Sequence, residues 1–289
     1  MTEKHALAVP SVVGVLGGGR MGAGIAHAFL LAGSKVTVVE RDGQAADAAR
    51  ERIERDLAKS LERGAVDGNL DEWAGNLTLS LHHEDFADAQ LVVEAVPEIW
   101  DLKVQALQEV EAHLAETAWL ATNTSSLSVD GLAEQLERPD RFCGLHFFNP
   151  VPASKLVEVV NSQHTGAELK ELSVQWVQGL GKTAVVVNDA PGFASSRLGV
   201  AIALEAIRMV EDGVASPADI DNAMVLGYKH PVGPLALTDI VGLDVRLGIA
   251  EYLASTLGPR FEPPQLMRDM VAREQLGRKT GRGFYDYEQ

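Results

Sequence analysis

A short apolar run, Val12 to Leu16, ends abruptly in Gly17-Gly18-Gly19-Arg20-Met21-Gly22. No other feature limits the fold as much. A strand that stops in a G-x-G-x-x-G turn and opens an Ala-rich helix, Arg20 to Ala32, begins a βαβ unit. Gly33 is placed to end that helix. Lys35 to Glu40 (KVTVVE) is short and β-branched, which predicts a second strand with an acidic residue at its end. In such a unit the first glycine permits the tight turn, the second lets the backbone approach a pyrophosphate, and the third lets helix and strand pack closely. The helix N-terminus offers unpaired N–H groups to phosphates, and an acidic residue at the second strand end accepts from a ribose hydroxyl. Gly17, Gly18, Gly19, Arg20, Met21, Gly22 and Glu40 are thus the candidate dinucleotide-binding residues. Glu40 would repel a 2′-phosphate, so NAD is expected over NADP. The adjacent Arg41 reads as a solvated loop charge, and some NADP use stays open.

The alternation continues. Gln44 to Arg63 is long, charged and Ala-rich, a predicted helix, and Leu91 to Val96, Ala118 to Thr122 and Phe142 to His146 read as strands, with Val185 to Val187 ending the set. This predicts an α/β fold: a Rossmann-type, doubly wound, mostly parallel sheet followed by an all-helical C-terminal domain. The character changes at Asn188-Asp189-Ala190-Pro191-Gly192. We therefore divide the chain into residues 1–188 and 189–289, with that segment as the hinge. Phe193 to Glu211 is apolar on almost every side, which predicts a helix buried all round. The segments 218–226, 235–257 and 264–273 also read as helical. A small domain has trouble burying so apolar a helix alone, so a subunit interface is expected.

Composition narrows the function. In 289 residues, 46% are hydrophobic and 23% charged, as in ordinary globular proteins. The net charge of -16 argues against nucleic-acid binding and against docking on anionic membranes. A polyanionic ligand must then be held by local donors rather than by the overall field. Cys143 is the one cysteine, so neither an intramolecular disulfide nor a CxxC metal site is available. The N-terminus lacks a signal-peptide core and no stretch reaches membrane-span length. A cytoplasmic, metal-free protein is expected.

Oxidation of an alcohol by a nicotinamide needs a base, and histidine suits the task. His5 lies in a tail, His82 and His83 in a polar loop, His27 and His113 on helices without an evident acidic partner, and His164 in a polar turn. His146 ends a strand in Gly144-Leu145-His146-Phe147-Phe148-Asn149-Pro150, where ligands of open α/β sheets bind. Glu158 lies inside the apolar run Leu156-Val157-Glu158-Val159-Val160. If buried it needs a partner, and His146 would serve, the carboxylate orienting the ring and stabilising an imidazolium. If the run is an edge strand, Glu158 faces solvent. Asn123-Thr124-Ser125-Ser126 follows another strand, and its side chains either donate to a substrate oxygen or cap the next helix.

These blocks, VGVLGGGRMGAGIA, LVVEAVPE, NTSSL, GLHFFNPVPASKLVEVV, DAPGF, HPVGPLALTDIVGLD and GRKTGRGFYDY, resemble the 3-hydroxyacyl-CoA dehydrogenase family over nearly the whole chain, on the side of its bacterial 3-hydroxybutyryl-CoA dehydrogenases. The resemblance implies an NAD-dependent oxidation of a short (S)-3-hydroxyacyl-CoA, or its reversal, by a dimer. It makes His146 the base, Glu158 its carboxylate partner, and Ser125 a contact of both substrate and nicotinamide. It places Glu98, Lys103, Asn149 and Lys279 at the cofactor. Two positions depart from the family pattern. Ser196 stands where the family often has an active-site asparagine, a subgroup feature that leaves one hydroxyl in place of an amide. Asp56 and Arg63 replace the serine and lysine that grip coenzyme A, so Lys59 and Arg63 are the candidate substrate-binding residues. The basic set Arg50, Arg52, Arg55, Lys59 and Arg63 reads equally as a coenzyme A phosphate site or a solvated helix face. A dehydrogenase of a non-thioester hydroxy acid, such as gulonate or carnitine, would share the fold and the His–Glu pair. A non-enzymatic nucleotide-binding protein would not need that pair.

Overall fold

A computed structural model describes residues 9–64, 66 and 68–287; His5 and the reading of the extreme N-terminus lie outside them. The described residues fall into two compact units, the first ending at Asp189 and the second beginning at Ala190.

The first unit is built from β1 (Val12–Leu16), α1 (Arg20–Leu31), β2 (Lys35–Val39), α2 (Gly43–Glu62), α3 (Leu70–Gly75), β3 (Leu77–Ser80), β4 (Leu91–Glu94), α4 (Trp100–His113), β5 (Trp119–Thr122), α5 (Val129–Ala133), β6 (Phe142–Phe147), β7 (Leu156–Asn161), α6 (Ala167–Gly179) and β8 (Thr183–Asn188). The strands form one sheet in the order β3-β2-β1-β4-β5-β6-β7-β8. Every neighbouring pair is parallel except β6 with β7. The order reverses between β1 and β4, which makes their carboxyl ends the crevice where ligands bind in such sheets. The expected α/β architecture is therefore present. The sequence reading missed β3 and left β7 undecided, because Leu77–Ser80 is too short for a pattern and Leu156–Asn161 is interrupted by Glu158.

The glycine turn forms for the steric reasons that its spacing suggests. Gly17 adopts φ 88°, which only glycine takes at little cost. A Cβ at Gly22 would stand 1.7 Å from the Gly17 carbonyl oxygen, so no side chain fits where α1 leaves β1. Beneath the sheet, Val13, Val15, Ile25, Phe29, Leu145 and Val159 join one core in which each is fully or almost fully buried.

The second unit consists of α7 (Ser195–Glu211), α8 (Pro217–Asn222), α9 (Pro234–Val241), α10 (Leu243–Leu257) and α11 (Gln265–Ala272), with a short π-type turn at Ala223–Gly227. Its core joins Val200, Leu204 and Ile207 of α7 to Leu235, Ala250, Leu253 and Met267. The single helix expected over 235–257 is two helices, broken at Gly242 with φ 104°. Burial of α7 is also one-sided rather than complete. Val200, Ala203 and Ile207 face inward, while Leu198 keeps 63% of its surface exposed and Ile202 keeps 39%. Side chains on opposite faces of one helix cannot share one core in a unit this small.

Cys143 lies on β6 among these core residues and is fully buried, and burial pushes its thiol up to about 12. The expected outcome is that dithiobis(nitrobenzoate) releases no thionitrobenzoate with the native protein and one equivalent once guanidinium unfolds it. Rapid labelling under native conditions would contradict the packing described.

Candidate active site

The carboxyl ends of β1, β4, β5 and β6 open into one cleft of about 950 Å³. Its walls include Gly17, Gly19, Arg20, Met21 and Glu40 together with Glu98, Asn123, Ser125, His146 and Asn149. The sheet thus brings residues from five separate sequence blocks to one edge.

At the β1 end, Glu40 accepts from the Gly18 N–H (2.7 Å) and the Arg41 N–H (3.1 Å), so its carboxylate is fixed against the glycine turn. Arg52 of α2 donates to the Gly18 carbonyl at 2.8 Å. That arginine supports the turn rather than standing ready for an outside phosphate. A Cβ at Gly19 would meet nothing within 4 Å, so space lies open over the turn. Gly18 and Gly22 sit behind the wall, where a Cβ would strike Ala49 or the turn itself.

At the β6 end, His146 and Glu158 are direct cross-strand partners in the antiparallel β6–β7 ladder. Residues so paired project to the same face with their Cβ atoms close together. His146 Nδ1 lies 2.8 Å from Glu158 Oε2, with Glu158 at 0% exposure and His146 at 6%. The paired, buried alternative for Glu158 holds, and β7 is not an edge strand because β8 covers it. With Nδ1–H donating to the carboxylate, the neutral ring carries its basic lone pair on Nε2. Phe148 lies against the ring, centroids 4.4 Å apart.

The loop after β5 is held by two carboxylates. Glu98 accepts from Thr124 Oγ1 (2.7 Å), from the Ser125 N–H (2.8 Å) and hydroxyl (3.2 Å), and from the Ser126 N–H (2.9 Å) and hydroxyl (3.0 Å). Burial works to raise the Glu98 pKa, but the nearby Lys103 ammonium and these hydrogen bonds outweigh it, leaving it below the ordinary value. Below it, Glu94 at the end of β4 accepts from Thr122 Oγ1 (2.6 Å), Lys103 Nζ (2.7 Å) and the Val96 N–H (2.6 Å). Asn123 Oδ1 accepts from the Phe147 N–H at 2.8 Å, tying the β5 loop to the strand that bears His146. The helix that follows, α5, is capped by Ser128, outside the Asn123–Ser126 segment to which the capping alternative applies.

Lys103 is 1% exposed, paired with Glu94 and 3.4 Å from Glu98, and it is not among the residues that line the cleft. Lys59 and Arg63, at the exposed end of α2, are likewise not among the lining residues. His83 is on the wall, in a 3₁₀ turn and 3.5 Å from Glu109, although it reads in sequence as loop filler. His27 is buried against Ser60 (2.9 Å), and burial depresses its pKa, opposed by Asp56. Glu94 was missed, though LVVEAV carries the same signal as the Glu158 run: a carboxylate inside an apolar strand needs a partner. In the second unit, Ser196 lies in the first turn of α7 and Lys279 is paired with Asp244 at 2.5 Å. Among the described residues, no group of three or more His, Cys, Asp or Glu could hold a metal ion, and no helix is long and apolar enough to cross a membrane.

The family model of the 3-hydroxyacyl-CoA dehydrogenase NAD-binding domain matches residues 12–190, and that of the C-terminal domain matches residues 192–287. The chain belongs to the 3-hydroxyacyl-CoA dehydrogenase family. A probable 3-hydroxybutyryl-CoA dehydrogenase of Deinococcus radiodurans is 40% identical over 275 residues, spanning 95% of this chain and 99% of that one. A 3-hydroxybutyryl-CoA dehydrogenase of Mycobacterium tuberculosis is 41% identical over 279 residues, 95% of this chain and 98% of its own. The crystal structure of an (S)-3-hydroxybutyryl-CoA dehydrogenase from Ralstonia eutropha superposes with a TM-score of 0.92 at 36% identity, covering 97% of this chain and 100% of that chain.

The buried Lys103 ammonium braces two carboxylates, Glu94 and Glu98. Lys103→Met should cost about 3–5 kcal/mol, because it leaves Glu94 buried without its counter-charge; urea unfolding measures this, and a loss below about 1 kcal/mol would refute the brace. The lowered Glu98 pKa stabilises the fold above the ordinary carboxylate pKa, a contribution lost as pH falls through the lower folded value. Glu98→Gln is therefore expected to shrink the stability lost between neutral and acid pH, measured by thermal melts across that range.

Proposed function

We propose that the chain oxidises the 3-hydroxyl of a short (S)-3-hydroxyacyl-CoA, or reduces the matching 3-ketone, with His146 as the general base or acid. The observation that carries this reading is His146, held by the buried Glu158, on the wall of the same cleft as the glycine turn. NAD suits the residues present: Gly19 leaves open space where a pyrophosphate would lie, Glu40 is set for a ribose diol, and the cleft volume is at the upper end for cofactor sites. Gly17, Gly19, Arg20 and Met21 would hold the phosphates, with Glu98, Ser125 and Asn149 toward the other end. When bound, NAD supplies the hydride acceptor.

The protein's own part is the proton. Glu158 fixes the ring so that Nε2 takes the proton of the 3-hydroxyl, and the carboxylate then stabilises the imidazolium that forms. Ser125, anchored by Glu98, donates to the substrate oxygen. Lys59 and Arg63 bind coenzyme A phosphates outside the cleft. The exposed apolar side chains of α7, α9 and α10, among them Leu198, Ile202, Ile240 and Val245, are covered by a second copy of the chain. The enzyme works in the cytoplasm, a setting in keeping with one buried, unbridged thiol.

His146→Gln is expected to lower kcat by about 10²-fold or more while NADH binding persists. The measurement is steady-state NADH consumption with acetoacetyl-CoA and a ladder of longer 3-ketoacyl-CoAs, beside gulonate and carnitine with NAD. Near-wild-type kcat in the variant would remove His146 from the mechanism. Turnover of gulonate or carnitine with none of the thioesters would replace the substrate class.

A further inference from the structure

Buried charges need partners, and one in the second unit has no paired carboxylate among the described residues. Arg246 retains only 6% of its surface, on the inward stripe of α10 with Leu243, Ala250 and Leu253. Its Nε is sealed from solvent with no hydrogen-bond partner, and no carboxylate pairs with it among the described residues. Burial alone lowers its pKa to about 10. The guanidinium lies against α7 at Gly199, where an added Cβ would touch Nη1 at 3.4 Å.

What surrounds this spot is an exposed, mostly apolar helix face. Leu198, Ala201, Ile202 and Glu205 follow the i, i+3, i+4, i+7 spacing of one stripe on α7, and all four are exposed. Val245, beside Arg246, is 46% exposed. An arginine set among apolar neighbours has the composition of an interface hot spot. The occupant must supply an acceptor, and a chain of net charge -16 is rich in them.

A symmetric dimer contacts itself through the same patch on both copies. Two α7 helices packed antiparallel on this stripe, with the twofold axis at Ile202, bring position 205 of one helix opposite position 199 of the other. The residue at 205 is a glutamate, 69% exposed, with one loose contact to Arg208 at 3.6 Å. Exposed pairs of that kind compete weakly. We propose that Glu205 of one subunit reaches Arg246 of the other, so that two symmetric Arg246–Glu205 ion pairs complete the interface that the apolar stripe begins.

The inference rests on the dimer reading above, and sedimentation equilibrium separates the two. A monomeric wild type would overturn both. With a dimeric wild type, Glu205→Arg is expected to raise the dimer dissociation constant about 10-fold or more, as expected for one buried partner of an ion pair. Arg246→Glu should do the same, and the double reversal should recover most of the loss. Circular dichroism checks folding of each variant. Where Arg246→Glu fails to fold, Arg246→Met takes its place, and Glu205→Gln should then add no further weakening. A dimer indifferent to Glu205→Arg, or a Glu205→Gln effect that is the same with and without Arg246, would refute the pair while leaving the dimer standing.

Discussion

The candidate site depends on the register of one antiparallel strand pair. His146 faces Glu158 because β6 and β7 align Gly144 with Val160 and Phe147 with Val157. A slip of one residue would turn Glu158 into the apolar face and set a valine beside the imidazole. What prevents the slip is the other face of the same strands: Cys143, Leu145, Phe147, Val157 and Val159 all belong to the main core. The apolar side chains therefore position the polar pair. They also make the pairing compulsory, since a carboxylate buried there without a partner would destabilise the fold by several kcal/mol.

The same logic governs the loops on either side of the cleft. Glu94, Thr122 and Lys103 form a closed buried network under the ends of β4 and β5, and Glu98 gathers the Thr124–Ser126 segment above it. Such support fixes reacting groups before a ligand arrives, which lowers the reorganisation needed at the moment of reaction. It also explains how so acidic a chain can take a polyanionic cofactor. Arg52 and Lys103 are used internally, to hold the glycine turn and to neutralise carboxylates. On the proposed reading, phosphate recognition falls to backbone N–H groups at the start of α1, which carry no side-chain charge for neighbouring carboxylates to titrate or capture.

Much of this was legible in the sequence because it follows from local rules. The β1–turn–α1–β2 unit, the later strands and the mostly parallel sheet follow from apolar runs and glycine positions. His146 could be singled out because it ends a strand. What was not legible was three-dimensional pairing. Spacing alone left Glu158 open between a buried partner and an edge-strand charge, and only β8 lying outside β7 decides it. Lys103 matches a cofactor-lining position by resemblance, and its pairing with Glu94 and Glu98 is a contact that spacing does not show. Helix periodicity could not anticipate the break at Gly242, a backbone event of one residue inside a continuous apolar pattern. Nor could it divide the apolar surface of α7 between the unit's own core and an outward face.

That outward face is best understood beside the buried charges of the chain. Glu94 meets Lys103, Glu111 meets the backbone of Glu137 and Arg138, and Glu158 meets His146. Asp221 accepts from the N–H groups of Leu235 and Ala236 and from the Tyr285 hydroxyl; Asp239 accepts from the N–H groups of Phe284 and Tyr285 and from the Tyr287 hydroxyl. Each of these groups is matched within its own unit. Arg246 departs from the pattern, and it does so behind the one stripe of α7 that the unit's own core leaves uncovered. A fold that satisfies its other buried charges so fully has no internal reason to strand this one. In the proposed dimer, the missing acceptor arrives with the surface that covers Leu198 and Ile202.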